Sequence, residues 1–310
     1  MNAPDRSPQA GASAAQGNSR GGFLLGLAAY ALWGVLPLYF KAIADVAAVD
    51  IVAHRVLWSL PFLAALVTIA RGWPAVRATV ARSRTVGVLA LTALLIGGNW
   101  LLYVYAVTSG HILAASFGYY LNPLANVLLG RFVLKEHLSR LQWAAVAIAA
   151  AGISVLAAGS LGQLWISLTL CVTFALYGLL RKVVAADAVT GLAIETALLF
   201  PLAIVWLICR AAAGAATFGS TNVDASLLVL AGIVSTTPLL LFTAAARRLP
   251  YSTLGMLQFL APTLQFLIAV LLYKEPFTRG HAIAFAAIWS ALALYVAALI
   301  RAPRLPQPPE

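Results

Sequence analysis

The chain has 310 residues, of which 62% are hydrophobic and only 9% are charged, and its formal net charge is +11. A soluble domain carries about 25% charged residues, so this composition excludes an ordinary water-soluble fold and favours a protein that lies mostly within a lipid bilayer. Membrane topology and contact with anionic lipid account for the excess of basic residues, and we therefore expect no nucleic-acid partner.

The first 21 residues are mainly Ala, Gly, Ser, Gln and Pro, which bury too little apolar surface to fold alone. We expect residues 1–21 to form a disordered cytoplasmic tail, with a second cytoplasmic tail at 301–310. Between the tails, continuous apolar runs of about 20 residues, the length that crosses a bilayer, predict ten transmembrane helices rather than a barrel. These spans lie near 22–41, 47–70, 85–107, 112–134, 140–158, 163–181, 190–209, 226–246, 251–273 and 280–300.

The basic residues between the spans are distributed unevenly. Of the twenty Lys and Arg, fifteen fall on one predicted side, among them Arg181 and Lys182, and four fall on the other. Because loops rich in Lys and Arg stay in the cytoplasm, this asymmetry predicts that both termini are cytoplasmic.

The pattern Pro-x11-Lys-Glu occurs twice, beginning at Pro123 and again, 139 residues later, at Pro262. A shift of 140 residues likewise places Pro61 on Pro201. Pro, Lys and Glu are so rare in this chain that such matches are not expected to arise by chance. They predict two repeats of five helices, at 22–158 and 163–300, and the odd number forces the second repeat to enter the membrane upside down. Inverted repeats are typical of secondary transporters, which bind solute between the two halves.

Two ionisable residues lie inside predicted spans at positions that the shift of 140 makes equivalent. These are Arg55 in the second span and Glu195 in the seventh. Opposite charges at such positions could pair across a cavity, and pairing would make each charge cheaper to bury. Protonation of Glu195 would break the pair and couple a proton to a conformational change. The alternative is that both residues anchor helices without contacting solute.

A second polar group lies in the fourth and ninth spans. Tyr119, Asn122 and Asn126 share one helical face, and the shift of 139 places Gln258 and Gln265 on Tyr119 and Asn126. Amides are costly in lipid, so this face is expected to line a cavity or, alternatively, to form interhelical hydrogen bonds.

A third candidate group lies in the third span and consists of Asn99, Trp100 and Tyr103. Its aromatic rings can stack on a solute, and their polar atoms can form hydrogen bonds with it.

Pro123 and Pro262 interrupt the predicted fourth and ninth helices. Proline removes a backbone donor and allows a kink or an opened turn. We interpret both residues as candidate hinges, with a fixed packing kink as the alternative.

Five segments carry a resemblance to a known family: residues 28–34 (AAYALWG), 54–59 (HRVLWS), 97–103 (GGNWLLY), 118–124 (GYYLNPL) and 242–246 (FTAAA). Together they resemble the RarD group of EamA-type transporters, within the drug/metabolite transporter superfamily, over residues 22–300. The resemblance implies a ten-helix carrier of the bacterial inner membrane, with two EamA repeats and a central cavity. Some RarD relatives are described as linked to chloramphenicol sensitivity, but the resemblance implies no particular substrate.

The remaining motifs concern energy source and chemistry. No Gly-rich loop followed by Lys-Ser or Lys-Thr is found, which argues against ATP hydrolysis by this chain. The nine acidic residues do not pair at metal-ligand spacing, so we expect no cofactor and no metal, and an integral-membrane lipid-modifying enzyme is the less favoured alternative. A channel or scaffold is the other. The sequence therefore predicts a secondary transporter of a small drug-like or metabolite solute.

Overall fold

The computed structural model describes residues 8–43, 45–108, 112–157, 164–216, 218–219, 222–272, 274 and 279–301, and all regular structure within these ranges is helical. The helices are α1 (Pro8–Ala42), α2 (Ala48–Ile69), α3 (Trp73–Val80), α4 (Ser83–Thr108), α5 (Ile112–Phe132), α6 (Arg140–Ala157), α7 (Leu164–Val183), α8 (Ala188–Ala212), α9 (Asn222–Ala246), α10 (Tyr251–Leu257), α11 (Leu260–Leu267) and α12 (Arg279–Arg301). A π-helical turn, Ile268–Leu272, continues α11.

Eight helical segments in the described part of the chain are long and apolar enough to cross a membrane. They are Arg20–Ala42, Ala48–Ile69, Ser83–Ala106, Leu164–Val183, Ala188–Ala212, Ala225–Ala246, Tyr251–Leu272 and Ala282–Arg301. The fifth predicted span is a shorter apolar helix, Arg140–Val155, and the fourth coincides with α5, whose side chains are described from Gly118 onward. The chain is thus an all-helical membrane protein, and the count of ten spans stays a prediction.

Two local features differ from the expectation. Helix α1 begins at Pro8, so residues 8–21 are helical where the composition predicted a tail without structure, while 1–7 and 302–310 lie outside the described residues. The short helix α3 lies between the second and third spans; Pro74 stands in its first turn, where a missing N–H costs little. The indole of Trp73 donates a hydrogen bond to Thr68 Oγ1 at 3.0 Å, which ties α3 to the end of α2.

The helical bundle has two ends, and hydrogen bonds hold the helix termini together at each of them. At the α1–α2 end, where α1 finishes and α2 begins, Tyr39 donates a hydrogen bond to the Leu227 carbonyl at 2.8 Å. At the α5–α6 end, where α5 finishes and α6 begins, the carboxylate of Glu136 accepts hydrogen bonds from the backbone N–H groups of Tyr251 and Ser252 at 2.5 and 3.0 Å, and from the Ser252 hydroxyl at 2.7 Å. Glu136 therefore caps the amino terminus of α10, where a negative charge is favourable.

Basic side chains bind further backbone carbonyls at the α5–α6 end. Lys182, at the end of α7, donates hydrogen bonds to the carbonyls of Ala246 and Leu249. Arg247, just beyond α9, donates to the carbonyls of Val184 and Ala186 at 2.8 and 2.7 Å. These bonds satisfy carbonyls that helix ends leave without intrahelical donors, and they join α7 to α9.

Helices on either side of the core approach closely where small residues permit it. A Cβ on Gly232 of α9 would lie 2.6 Å from the backbone nitrogen of Ser59 in α2, so only glycine fits at this crossing. The hydroxyl of Ser59 donates to the Gly232 carbonyl at 3.2 Å and accepts from Thr236 at 2.6 Å. Helices α2 and α9 are therefore held together by both backbone contact and hydrogen bonds.

An aromatic cluster fills the centre of the bundle. Phe242 of α9 contacts Tyr30 and Trp33 of α1, with ring centroids 6.2 and 5.7 Å apart, and it stacks on Tyr177 at 6.4 Å. Phe174 packs against the same ring at 5.5 Å. Tyr30, Tyr177 and Phe242 have no exposed surface, whereas large apolar side chains such as Leu94 (64% exposed) lie on the outside of the helices, as expected of a surface that faces lipid.

Candidate solute-binding cavity

A cavity of about 430 Å³ lies in the half of the bundle nearest the α1–α2 end. It reaches that end between Phe40 of α1 and Ala48 of α2, and it extends inward to Tyr30 and Phe174 of the aromatic cluster. Its volume is in the range of ordinary small-molecule sites. Eight residues singled out from the sequence line it: Arg55, Asn99, Trp100, Tyr103, Tyr119, Gln258, Pro262 and Gln265.

Asn99 organises the polar wall formed by α4, α5 and α7. Its side-chain nitrogen donates to the Leu170 carbonyl at 2.9 Å and to the Thr173 hydroxyl at 2.8 Å, and its oxygen accepts from the hydroxyl of Tyr119 at 3.3 Å. The ring of Tyr119 also packs against Tyr103, with centroids 5.6 Å apart. Because Asn99 is only 1% exposed and bonded on both sides of its amide, it positions Tyr119 more than it offers free donors to a solute.

Arg55 of α2 also lines the cavity. Its guanidinium carbon lies 4.2 Å from the centroid of the Trp100 ring, a cation–π contact. The Nε atom of Arg55 is buried without a hydrogen-bond partner. The residue is therefore held in place by an aromatic face rather than by a carboxylate.

The ninth predicted span is broken beside the cavity. Helix α10 ends at Leu257, and α11 begins at Leu260, so Gln258 and Phe259 form a turn between them. Pro262 explains the break, since it has no N–H to donate to the carbonyl four residues earlier. The turn presents Gln258 to the cavity, and Asn126 of α5 donates a hydrogen bond to its side-chain oxygen at 2.8 Å.

The other two amides of the polar face, Gln265 and Asn122, have different surroundings. Gln265 of α11 lines the cavity and donates to the Trp33 carbonyl at 3.0 Å, which fixes α11 against α1. Asn122 has no exposed surface, is not among the lining residues, and both polar atoms of its amide lack a partner in the described structure. Pro123, the other candidate hinge, lies within an uninterrupted α5.

Glu195 occupies a different environment from the one that the shift of 140 suggested. Its carboxylate lies 3.4 Å from Nε of Arg181, accepts a hydrogen bond from Thr92 at 2.5 Å and contacts the Tyr177 hydroxyl at 3.5 Å. The structure thus pairs Glu195 with Arg181 and not with Arg55. Glu195 and Arg181 are 1% and 0% exposed, so the ion pair is buried near the α5–α6 end.

Arg181 is also the functional candidate that the sequence missed, because its position near the end of a span placed it among the cytoplasmic loop residues. Its guanidinium donates to the carbonyls of Asp187 and Ala188 at 3.3 and 3.2 Å. A Cβ on Gly191 would lie 2.6 Å from its Cζ, so this glycine makes room for it. One feature of the sequence does indicate this pairing: the connection between α7 and α8 is short, and it brings Arg181 and Glu195 together.

A small chamber of about 20 Å³ separates Arg55 from Glu195, and both residues line it. Its walls include the hydroxyls of Ser59, Ser235 and Thr236. This volume is enough for about one water molecule. Arg55 and Glu195 therefore border one small chamber and are not paired with each other.

A second ion pair joins α2 to α8 at the α1–α2 end. Asp50 accepts hydrogen bonds from Arg210 at 3.2 and 3.3 Å and from the Trp206 indole at 2.9 Å. Asp50 is 1% exposed, and no feature of the sequence connects it with Arg210. These residues do not line the cavity, and their bonds join α2 to α8.

Comparison with known proteins agrees with this architecture. A profile of the EamA-like transporter family matches residues 20–158. An uncharacterized transporter of Vibrio cholerae is 46% identical over 90% of this chain and 93% of its own length, and the RarD protein of Escherichia coli is 45% identical over 90% and 94%. The chain belongs to the RarD group of EamA transporters. The resemblance read from the five sequence segments is thereby confirmed.

More distant relatives extend the comparison. The chloramphenicol-sensitive protein RarD of Pseudomonas aeruginosa is 34% identical to this RarD-type chain over 88% of the chain and 92% of its own length. A crystal structure of another protein, 20% identical, superposes with a TM-score of 0.69 and covers 92% of this chain and 99% of its own. The second likeness shows that the fold occurs in a crystallised protein.

Proposed function

We propose that this RarD-type chain is a secondary transporter that carries a small drug-like or metabolite solute by alternating access. The observation that carries the proposal is the cavity of about 430 Å³, which reaches the α1–α2 end. At the α5–α6 end, hydrogen bonds accepted by Glu136 and donated by Lys182 and Arg247 hold the helices together. A carrier needs a central site that is open to one end and closed at the other.

Helix packing supports two inverted repeats. Helix α1 packs on α9 and α7 packs on α4; α2 packs on α9 and α8 packs on α4; α5 packs on α7 and α1 packs on α11. In chain order, α1, α2, α4, α5 and α6 of the first half correspond to α7, α8, α9, α10–α11 and α12 of the second. When every helix is replaced by its counterpart, the first contact in each of these pairs becomes the second. The contacts of α2 with α8, α5 with α10 and α6 with α12 each join a helix to its own counterpart, so the replacement leaves them unchanged. A two-fold relation between halves of five spans has this property.

The orientation follows from the charge asymmetry of the loops. With both termini in the cytoplasm of a bacterium and ten spans in its inner membrane, the α5–α6 end is cytoplasmic and the cavity faces outward. The structure then represents an outward-facing state. Exchange with an inward-facing state requires the cavity to close and the Glu136, Lys182 and Arg247 contacts to open.

Glu195 is the residue that we propose for proton coupling. It lies within the half that must open, and its ion pair with Arg181 at 3.4 Å is lost when the carboxylate is protonated. We expect Glu195→Gln to abolish the dependence of solute flux on pH. Asp50→Asn is the matched control, because Asp50 is equally buried and paired with an arginine. A pH profile unchanged by Glu195→Gln would contradict proton coupling.

The transport mechanism itself is tested by thiol labelling, which needs no known solute. In a chain with Cys171→Ala and Cys209→Ala, a reporter Ala261→Cys lies in the cavity and a second, Leu254→Cys, lies in the closed half. A membrane-impermeant reagent is expected to label the first reporter only from outside and the second only from inside. Labelling of both reporters from both faces would indicate a channel, and labelling of neither would indicate a scaffold.

A lipid-modifying enzyme is the other alternative class, and the cavity chemistry does not favour it. Among the described residues that line the cavity, none is an acid, a histidine or a cysteine. Metal-assisted or acid–base chemistry on a lipid would require such groups beside the bound substrate. The polar groups present are hydroxyls, amides and one guanidinium, which are binding groups.

A further inference from the structure

Arg55 is the only residue with a formal charge among the described residues that line the cavity. The other lining side chains with hydrogen-bonding groups are those of Asn99, Gln258, Gln265, two tryptophans and three tyrosines. The cavity therefore carries a net positive charge on an otherwise neutral wall.

Arg55 has no carboxylate partner in the part of the chain that the structure describes. The two described ion pairs are Arg181 with Glu195 and Arg210 with Asp50, so each nearby acid already has a different arginine. The titratable side chains near Arg55 are those of Tyr39, Tyr103 and Tyr119, whose hydroxyls are neutral near pH 7. The Trp100 ring compensates the charge only in part, because a cation–π contact is weaker than a hydrogen-bonded ion pair.

The surroundings of the guanidinium also restrict what can bind it. Trp33, Trp100 and Phe174 place aromatic faces on the cavity wall, and Tyr103 and Tyr119 supply hydroxyls near the charge. An arginine presents donors in a planar fork that matches both oxygens of a carboxylate. Aromatic walls favour a flat apolar body on the rest of the ligand.

We propose that the solute is an organic carboxylate with a planar apolar body, and that Arg55 binds its carboxylate. This inference rests on the proposed transport function and names its substrate class. The carboxylate completes the ion pair that the protein leaves open at Arg55. The apolar body lies between the aromatic walls, toward the centre of the bundle.

The test uses pairs of probes that match in shape and differ in charge: benzoate with benzamide, and indole-3-acetate with indole-3-acetamide. Affinity for each is measured by calorimetry on the full chain in nanodiscs. We expect each carboxylate to bind at least tenfold more tightly than its amide, since hydrogen bonds between a guanidinium and a carboxylate are stronger than those between a guanidinium and a neutral amide. Arg55→Gln is expected to reduce this ratio to about one, and Arg55→Lys to retain part of it.

Arg210→Gln is the matched control. It removes one arginine from a membrane helix at the same end of the bundle, but Arg210 does not line the cavity, so the ratio is expected to persist. Equal affinity for acid and amide, or a ratio that Arg55→Gln leaves unchanged, overturns the proposal. If neither member of either pair binds, the proposal is likewise overturned.

These failures are distinct from failure of the transport function. If acid and amide bind equally and Asn99→Leu weakens both, the cavity binds solute and only the charge preference is wrong. If no probe binds, the labelling of Ala261→Cys and Leu254→Cys decides on alternating access independently of any ligand.

Discussion

Arg55 and Arg181 are both arginines within membrane helices, but their side chains have different tasks. Arg181 is fully buried and neutralised by Glu195, so it contributes to the packing of the closed half. Arg55 is half-buried on a cavity wall and lies over Trp100. Removing one partner of a buried pair leaves an isolated charge, whereas an arginine that awaits a ligand can be replaced at a smaller cost in stability.

Asn122 and Asn126 provide a test of buried polar groups at the residue scale. Asn122→Leu is expected to raise the thermal unfolding midpoint, because two buried polar atoms without partners cost about 1 to 3 kcal/mol. Asn126→Leu is expected to lower the midpoint, because it leaves the Gln258 oxygen without its donor. The measurement is differential scanning fluorimetry of both variants in one detergent.

The contrary result is informative for this pair. If Asn122→Leu lowers the midpoint more than Asn126→Leu does, then Asn122 forms hydrogen bonds that the described conformation lacks. Asn122 would then belong to the inward-facing state instead of being an unsatisfied residue of the outward-facing one.

The sequence predicted individual polar residues better than their partners. Arg55, Asn99, Tyr119 and Gln258 were identified because polar residues stand out in an apolar chain, and all four line the cavity. The sequence left open whether Glu195 pairs with Arg55, since a shift between repeats gives equivalent positions and not distances, and the structure pairs Glu195 with Arg181. Which arginine reaches a carboxylate depends on helix rotation and on space such as that left by Gly191.

Among the elements, α5 and the α10–α11 pair show how one motif yields two structures. Both contain the repeated proline, yet α5 continues through Pro123, while the chain opens into a turn before Pro262. Spans and prolines were predictable from apolar runs and composition. The break was not, because a proline permits a kink without requiring one, and neighbouring helices decide whether the freed carbonyl is satisfied elsewhere.

Pro262 is predicted to matter for transport through this turn. In Pro262→Ala, residue 262 regains an N–H that can bond the Gln258 carbonyl, so the turn can close and the fold can gain up to about 3 kcal/mol. We expect a higher unfolding midpoint together with slower solute flux in proteoliposomes. Pro123→Ala is the matched control, and it is expected to change flux less because α5 is already continuous.

The hinge interpretation of Pro262 fails if Pro262→Ala and Pro123→Ala have equal effects on flux. A loss of flux accompanied by a lower midpoint would instead indicate that Pro262 acts only through packing.

At the scale of the whole molecule, the two ends of the bundle are held by different means. The α1–α2 end contains the open cavity and the pair of Asp50 with Arg210. The α5–α6 end also contains a buried ion pair, that of Glu195 with Arg181, but charged side chains there additionally bind backbone groups at helix termini, chiefly Glu136 and Arg247. Such contacts break without exposing an unpaired buried charge, because the released side chains can be hydrated. The α5–α6 end is therefore suited to repeated opening.

Glu136→Gln is predicted to shift the molecule toward opening at this end. Glutamine has one accepting oxygen and no charge, so it loses at least one charge-assisted hydrogen bond to Tyr251 or Ser252, worth about 1.5 to 3 kcal/mol. We expect labelling of Leu254→Cys from the cytoplasmic face to increase roughly tenfold or more.

Asp45→Asn serves as the control, since Asp45 is an exposed acid at the opposite end. If Glu136→Gln labels no faster than this control, the Glu136 contact does not keep the α5–α6 end closed.

Lys135 and Lys274, the lysines of the repeated Pro-x11-Lys-Glu pattern, share an uncommon backbone conformation, with φ of 57° and 58°. Such a conformation reverses the chain after a helix and depends only on local sterics. A bend of this kind works equally well in either aqueous compartment, whereas a charge is sensitive to the membrane potential and to anionic lipid. In the inverted-repeat arrangement that we propose, a gene duplication that turned one half over can retain this corner unaltered, while residues deeper in the bundle, such as Arg55 and Glu195, are free to acquire opposite charges.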